Sequence, residues 1–222
     1  MSYVAVMPYR VEEWKQACLE TCRFDNLLLV DNTVINLGIM RAHNLGIDYM
    51  REQDADWLIV MSAAVRFGAP GGLDYVEQLE ANTDWSVIPA QKVYGWHLIA
   101  FRRDVVEAAG RWDENYSPYG YDDVDYSIRI WKALPDHKEG GVPVDLTDAG
   151  MGHSLKLGGV KLDNGRLLRY LVSKWGAPHG QEYGVYWNHP FSDPANDVGY
   201  WPPINGAAWD RPAPKTTQAS VR

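Results

Sequence analysis

The sequence predicts an α/β fold: a mostly parallel central sheet flanked by helices. Two observations carry this. Short, strongly apolar runs of strand length alternate with longer segments of helical periodicity over the first ninety residues, which is the pattern of a parallel sheet covered on both faces. The apolar runs end in short polar or small-residue loops rather than in hairpin turns, so the chain crosses over between strands.

The elements follow in order. Tyr3 to Met7 is an apolar run that stops at Pro8, a first strand. Glu12 to Arg23 has helical periodicity. Asn26 to Val30 is a buried strand, and Asp31-Asn32-Thr33 is its exit loop. Gly38 to Gln53 is a helix, because Ile39, Ala42, Leu45, Tyr49 and Met50 share one face. Trp57 to Met61 is a third strand, Leu73 to Glu80 a helix and Trp85 to Pro89 a fourth strand. Lys92 to Phe101 again reads as a strand. Asp104 to Ala109 is a short helix with Asp104 as its N-cap, Tyr121 to Trp131 a further helix, and Val142 to Leu146 a late strand. From Gly176 onward the chain is rich in Gly, Pro, Trp, Tyr and Asn and reads as a wrap. Pro212 to Arg222 has almost no apolar content and reads as a flexible tail.

The composition bounds the function. The 222 residues suit one domain with a full core, and a formal net charge of −8 disfavours general nucleic-acid binding, which needs a basic surface. The ten Trp and thirteen Tyr are many for this length; they pack a core or stack on flat ligands. The two cysteines, Cys18 and Cys22, lie four apart on one helix face and cannot complete a zinc site. They read as small apolar residues in a reducing compartment. No secretory leader and no apolar stretch of membrane-spanning length is visible, so the expected location is cytoplasmic.

Several motif classes are absent: GxGxxG after the first strand, GxxxxGK[ST] and GxSxG. In an open α/β sheet, ligands bind beyond the carboxyl ends of the strands. That directs attention to Pro8-Tyr9-Arg10, Asp31-Asn32-Thr33 and Ser62-Ala63-Ala64. The densest chemical feature is Gly120-Tyr121-Asp122-Asp123-Val124-Asp125, with three carboxylates in four residues at a helix start. Acids there are favoured by the helix dipole alone. Crowding also raises the pKa of at least one of them, which suits a general base that takes a proton from a hydroxyl.

The ordered set Phe101-Arg102-Arg103-Asp104, Gly110-Arg111-Trp112-Asp113-Glu114, and Asp122-Asp123-Val124-Asp125 followed by Arg129 resembles the acceptor-side region of inverting, family 2-type glycosyltransferases of the GT-A fold. Upstream, Asp31-Asn32, Asn36-Leu37-Gly38 and Ala42 with Asn44-Leu45-Gly46 resemble that family's nucleotide-binding elements. Downstream, Gly150-Met151-Gly152-His153 resembles its late histidine, and Lys174-Trp175-Gly176 a segment near the end of such domains. The resemblance spans residues 3 to 190. It implies one GT-A-like domain (Rossmann-like, of the nucleotide-diphospho-sugar transferase type) over 1–190, with the aromatic, proline-rich wrap and tail over 191–222.

What the resemblance implies is specific. A hexose-type sugar passes with inversion from a nucleotide-diphosphate donor to a hydroxyl on a glycan, a lipid-linked sugar or a protein. Asp31 contacts the base, and Pro8, Tyr9, Arg10 and Asn32 complete the nucleotide wall. Gly38 and Asn44 belong to the donor-binding element, and Ser62 and Ala64 lie near the ribose and diphosphate. Asp123 is the general base, while Asp122 and Asp125 position the acceptor or tune it. Tyr94 and Trp96 form an acceptor-side wall, with core packing as the alternative. His153 stabilises the leaving group directly or through a metal.

One departure is plain. The family carries Asp-x-Asp or Asn-Pro-Asp, which holds Mn²⁺ or Mg²⁺, where this chain has Ser62-Ala63-Ala64. Alanines offer a hard cation no ligand. Three alternatives stay open: a metal-free enzyme using Arg10, Arg66 or Lys156; a metal held through His153, an acid of the cluster and the donor phosphates; or a degenerate module that binds a nucleotide sugar or glycan without turnover. A further reading makes the chain an assembly protein with Tyr183 to Pro203 as its partner surface. The oligomeric state is not legible.

Overall fold

The computed structural model describes residues 1–35, 37–91, 96–117, 119–148, 164–175 and 216–219. The elements are β1 (Tyr3–Tyr9), α1 (Glu12–Thr21), β2 (Leu27–Asp31), α2 (Ile39–Glu52), β3 (Trp57–Met61), β4 (Val65–Phe67), α3 (Leu73–Ala81), β5 (Val87–Pro89) and β6 (Leu98–Arg102). They continue with α4 (Arg103–Ala109), α5 (Asp122–Ala133), β7 (Leu146–Asp148), α6 (Asn164–Trp175) and β8 (Thr216–Ala219).

The class is α/β, as predicted, and the central sheet is mixed, with strand order β5-β6-β3-β1-β2-β8. β1 pairs in parallel with β2 and β3. β6 runs antiparallel to both β3 and β5, and β8 antiparallel to β2. The parallel pairings occur where a helix intervenes, α1 between β1 and β2 and α2 between β2 and β3. β5 and β6 are close neighbours in the chain, and β6 returns in the opposite sense. β4 and β7 form a separate antiparallel pair.

Strand alternation divides the core. Val4, Val6, Leu28, Val30, Leu58, Val60, Ile99 and Phe101 face a layer containing residues of α2, α4, α5 and α6. Ala5, Met7, Leu27, Leu29, Ile59, Met61 and Ala100 face the other side, where Cys18 of α1 and Tyr75 and Leu79 of α3 pack. The two-residue period of a strand thus serves two helical layers with one sheet. Cys18 and Cys22 are buried and unpaired, consistent with their reading as small apolar residues, and burial pushes the Cys18 thiol up to about 12.

Gly46 explains how closely α2 sits on the sheet. A Cβ placed there would stand 2.7 Å from Val6 Cγ1 and 2.9 Å from Val6 Cβ, so only glycine lets the helix backbone approach β1 this closely.

Several expectations need correction. Asp104 is inside the first turn of α4 rather than its N-cap; Arg102 occupies the cap position, and the Asp104 carboxylate instead pairs with Arg102. The late strand begins at Leu146, while Val142 makes only an isolated bridge with Ala90. β4 was not expected. Neither was α6, although Leu167, Tyr170, Leu171, Lys174 and Trp175 have helical spacing and form its buried face. Thr216–Ala219, in the segment expected to be a flexible tail, is a strand in the main sheet. Tyr183–Pro203 lies outside the described residues. Among the described residues no helix is long and apolar enough to cross a membrane.

Candidate functional site

The parallel strands β1, β2 and β3 end on the same edge of the sheet, and their exit loops lie along it. Register places Tyr9 beside Asp31. Tyr9 stands beside the Asp31 carboxylate and favours its ionised form, and Asp31 Oδ1 accepts the Thr33 backbone N–H at 2.8 Å and the Thr33 hydroxyl at 2.6 Å. Partial burial works against ionisation of Asp31, but these donors outweigh it and hold the carboxyl below the usual range. Lys15 Nζ stands 4.6 Å from the centre of the Tyr9 ring, a cation–π approach that fixes one side of the ring. Pro8 is half-buried and Arg10 exposed.

Asn32 and Asn44, both buried, turn inward. The Asn32 N–H donates to the Tyr9 carbonyl at 2.8 Å, and its side-chain oxygen accepts the Leu37 N–H at 3.4 Å, closing the loop from β2 to α2. Asn44 Nδ2 donates to the Trp112 carbonyl and to Glu114 Oε1, both at 3.0 Å, and its Oδ1 accepts the Trp112 N–H at 2.8 Å. Its amide therefore fastens α2 to the 112–114 turn. Gly38, with φ of 82°, supplies the left-handed residue that starts α2. Asn36 lies outside the described residues.

The segment after β3 folds on itself. The Ser62 N–H donates to the His97 carbonyl at 2.8 Å, its carbonyl accepts the Val65 N–H at 3.1 Å, and its hydroxyl accepts the Ala64 N–H at 3.1 Å. Ala63 and Ala64 are buried, so Ser62 is the member of this trio that presents surface. Next to His97, the half-buried Trp96 stands edge-on to Phe101 at 5.2 Å and to Tyr126 of α5 at 6.1 Å. This packing connects the β3 exit to α5. Tyr94 and His153 lie outside the described residues.

The acidic segment opens α5. Gly120 and Tyr121 both have positive φ, 107° and 62°. A tyrosine in the left-handed region costs of order 1 kcal/mol or more and persists only where its surroundings impose it. The bend turns the first turn of α5 so that Asp122 Oδ1 accepts the Gly120 N–H at 2.8 Å and Asp123 Oδ1 the Val124 N–H at 2.9 Å. Asp122 is buried and Asp123 half-buried. Burial first, and then the charge of Asp123, push the Asp122 carboxyl up to about 7; burial also raises Asp123. Burial raises the Tyr119 hydroxyl, and the charge of Arg10 acts against that rise.

Asp125 has a different environment from its neighbours. Its Oδ2 accepts Arg129 Nε at 2.8 Å, and its Oδ1 meets Lys174 Nζ at 2.9 Å, Trp175 Nε1 at 2.7 Å and the Tyr116 hydroxyl at 3.2 Å. Burial opposes its ionisation, but Arg129 and Lys174 prevail and hold it below the ordinary carboxylate range. Asp113 completes the group, taking Lys174 Nζ at 2.7 Å and the Tyr170 hydroxyl at 2.6 Å. Sequence reading placed Asp125 with the reacting acids; its oxygens are instead committed to this buried network. The Asp125–Arg129 spacing of four on a helix was the available signal for that pairing.

Among the described residues no group of three His, Cys, Asp or Glu is placed to hold a metal ion. The Ser62 turn offers one hydroxyl, already accepting an N–H, and two buried alanines. These residues do not fit a divalent cation.

No family model and no curated protein matches the chain. Among solved structures it is similar to A197 from STIV, with 12% identity and a TM-score of 0.45 over 66% of this chain and 83% of that one. It is also similar to the mannosyltransferase PcManGT from Pyrobaculum calidifontis in complex with GDP-Man and Mn²⁺, with 14% identity and a TM-score of 0.42 over 64% of this chain and 55% of that one. A third is a glycosyltransferase involved in glycosylation of the major capsid of PBCV-1, with 8% identity and a TM-score of 0.39 over 64% of this chain and 83% of that one.

Proposed function

We propose that the chain is a GT-A-type glycosyltransferase that moves a hexose-type sugar from a nucleotide-diphosphate donor to a hydroxyl acceptor with inversion. The observation that carries this reading is the Asp122–Asp123 pair: one carboxyl buried and pushed up to about 7, the other half-buried beside it, at the first turn of a helix that follows the positive-φ pair Gly120 and Tyr121. Two crowded carboxyls that hold a proton near neutrality form a base strong enough to accept one from an attacking hydroxyl.

Asp123, the more accessible of the two, is the general base. As the acceptor oxygen bonds to the anomeric carbon, its proton passes to Asp123 and the bond to the donor diphosphate breaks. Asp122 sets the basicity of the pair. The Tyr9 ring and the ionised Asp31 offer a flat face and an acceptor for the nucleotide base or ribose, and Arg10 offers charge for the phosphates. No step here passes through a metal, and His153 keeps its proposed place at the leaving group.

The test is a thermal-shift screen of UDP, GDP, TDP, CMP and their common sugars, each with EDTA and with Mn²⁺. A shift with one nucleotide, followed by transfer that Asp123→Asn abolishes, supports the proposal. Transfer undiminished in Asp123→Asn overturns the assignment of the base. The second reading, a module that binds without turnover, is favoured by the closed Ser62-Ala63-Ala64 turn; binding with no hydrolysis or transfer under either condition would select it.

A further inference from the structure

The buried group around Lys174 has a composition that stability alone does not explain. Arg129 has 0% of its surface exposed, Lys174, Asp113 and Asp125 1% each, so two cations and two carboxylates are sealed together. Well-packed apolar residues of similar volume are commonly as stabilising as such a group, and the best-attested return on a buried ionic cluster is defined geometry. The geometry at stake here is that of α5. Asp113 lies in the turn before it, Asp125 and Arg129 on it, and Lys174 and Trp175 in the last turn of α6, fifty residues further along the chain from Asp125 to Trp175.

Tyr121, at the cap position, makes no side-chain cap bond and sits in the left-handed region. The carboxylates of Asp122 and Asp123 bond backbone amides of their own turn, Gly120 and Val124. Asp125 is in that same turn, and its two oxygens connect it to Arg129, Lys174, Trp175 and Tyr116. Lys174 also holds Asp113 at 2.7 Å, and Asn115, whose side chain donates to Asp113 at 2.9 Å, joins the same group.

We infer that Lys174 is a positioning residue for the Asp122–Asp123 pair: by bridging Asp113 and Asp125 it sets the placement of the first turn of α5, and with it the direction of the two acids. The inference rests on the proposed transferase reading for its consequence in turnover, and on the contacts above for its structural content. It also makes α6 part of the working site.

The experiment compares Lys174→Met, Lys174→Arg and Trp175→Phe in the full chain with Leu79→Ala, a core variant of lowered stability on the other face of the sheet. Two readouts are taken: kcat and KM for the nucleotide sugar that shifts the wild-type melting temperature, and the carboxyl ¹³C resonances of Asp122 and Asp123. Lys174→Met should lower kcat by roughly 10- to 100-fold, the scale of a misplaced reacting group, with donor KM within about twofold. It should also move both resonances, and Lys174→Arg should recover part of each effect. Leu79→Ala should leave the resonances in place. Wild-type kcat in Lys174→Met, unmoved resonances, or the same loss in Leu79→Ala would overturn the inference. If the wild type turns over no nucleotide sugar, the transferase reading fails by itself and the resonances alone decide the positioning role. If Lys174→Met does not fold, Trp175→Phe, which removes the N–H to Asp125 together with part of a buried ring, is judged by the same criteria.

Discussion

Trp112 lies flat against Tyr126, with ring centroids 3.7 Å apart and planes 7° from parallel. The stack joins the turn held by Asn44 to the helix that carries the acids, and the Tyr126 hydroxyl donates to the Gly110 carbonyl at 3.0 Å. Trp112→Ala should therefore destabilise the fold by about 3–5 kcal/mol. Tyr126→Phe, which keeps the ring and leaves one carbonyl unpartnered by it, should cost about 1 kcal/mol. Urea unfolding of the two variants checks both values, and equal losses would mean the stack contributes nothing beyond the hydroxyl.

Asp122 and Asp125 should shape the pH dependence of stability in opposite senses. The folded pKa of Asp122 is raised to about 7, above its unfolded value near 4. Its favourable contribution is complete below about pH 4 and is lost as pH rises toward 7, because the unfolded chain releases its proton first. Asp122→Asn should match the wild type at low pH and exceed it in melting temperature above pH 7. A constant offset across that range would contradict the assignment.

The folded pKa of Asp125 is depressed, so its contribution is present above the unfolded value and lost as pH falls through the folded one. Removing that one charge leaves two buried cations, Arg129 and Lys174, with Asp113 as their one remaining carboxylate in this group. Asp125→Asn should cost about 3–5 kcal/mol near neutrality. The difference from wild type should shrink in acid, as followed by chemical denaturation at pH 7 and pH 3.

Gly46→Ala adds one methyl where Val6 already stands at 2.7 Å. A loss of about 1–3 kcal/mol is expected, with the helix displaced from β1. A neutral or stabilising result in thermal melts would mean that α2 shifts at no cost.

At the proposed donor wall, Asp31→Ala should weaken whichever nucleotide raises the melting temperature, since it removes the ionised acceptor beside Tyr9. The loss of one charge-assisted hydrogen bond corresponds to about 1.5–3 kcal/mol of binding. Isothermal titration of wild type and variant measures it.

The first half of the fold was largely legible. Trp57–Met61 coincides with its apolar run, and Leu27–Asp31 and Ile39–Glu52 lie within one residue of theirs at each end, because local apolar period and burial agree there. The acid cluster was equally visible, yet its members divide by partners distant in sequence. Nothing near Asp125 announces Lys174, and a lysine at 1% exposure defies composition-based expectation. Asn44 was read as a donor contact because its position fits a motif; its commitment to Trp112 depends on a turn nearly seventy residues later. The α6 pattern was present in the spacing of Leu167, Tyr170, Leu171 and Lys174, but a buried lysine and a tyrosine hydroxyl occupy what would normally be apolar positions.

β8 pairs along β2 from Leu27 to Val30. Without that cover, the flank of β2 would present a row of unsatisfied amides and carbonyls on an apolar strand, an open template for another chain. Material truncated before Thr216 should therefore lose colloidal behaviour: soluble yield falls and aggregates grow with concentration.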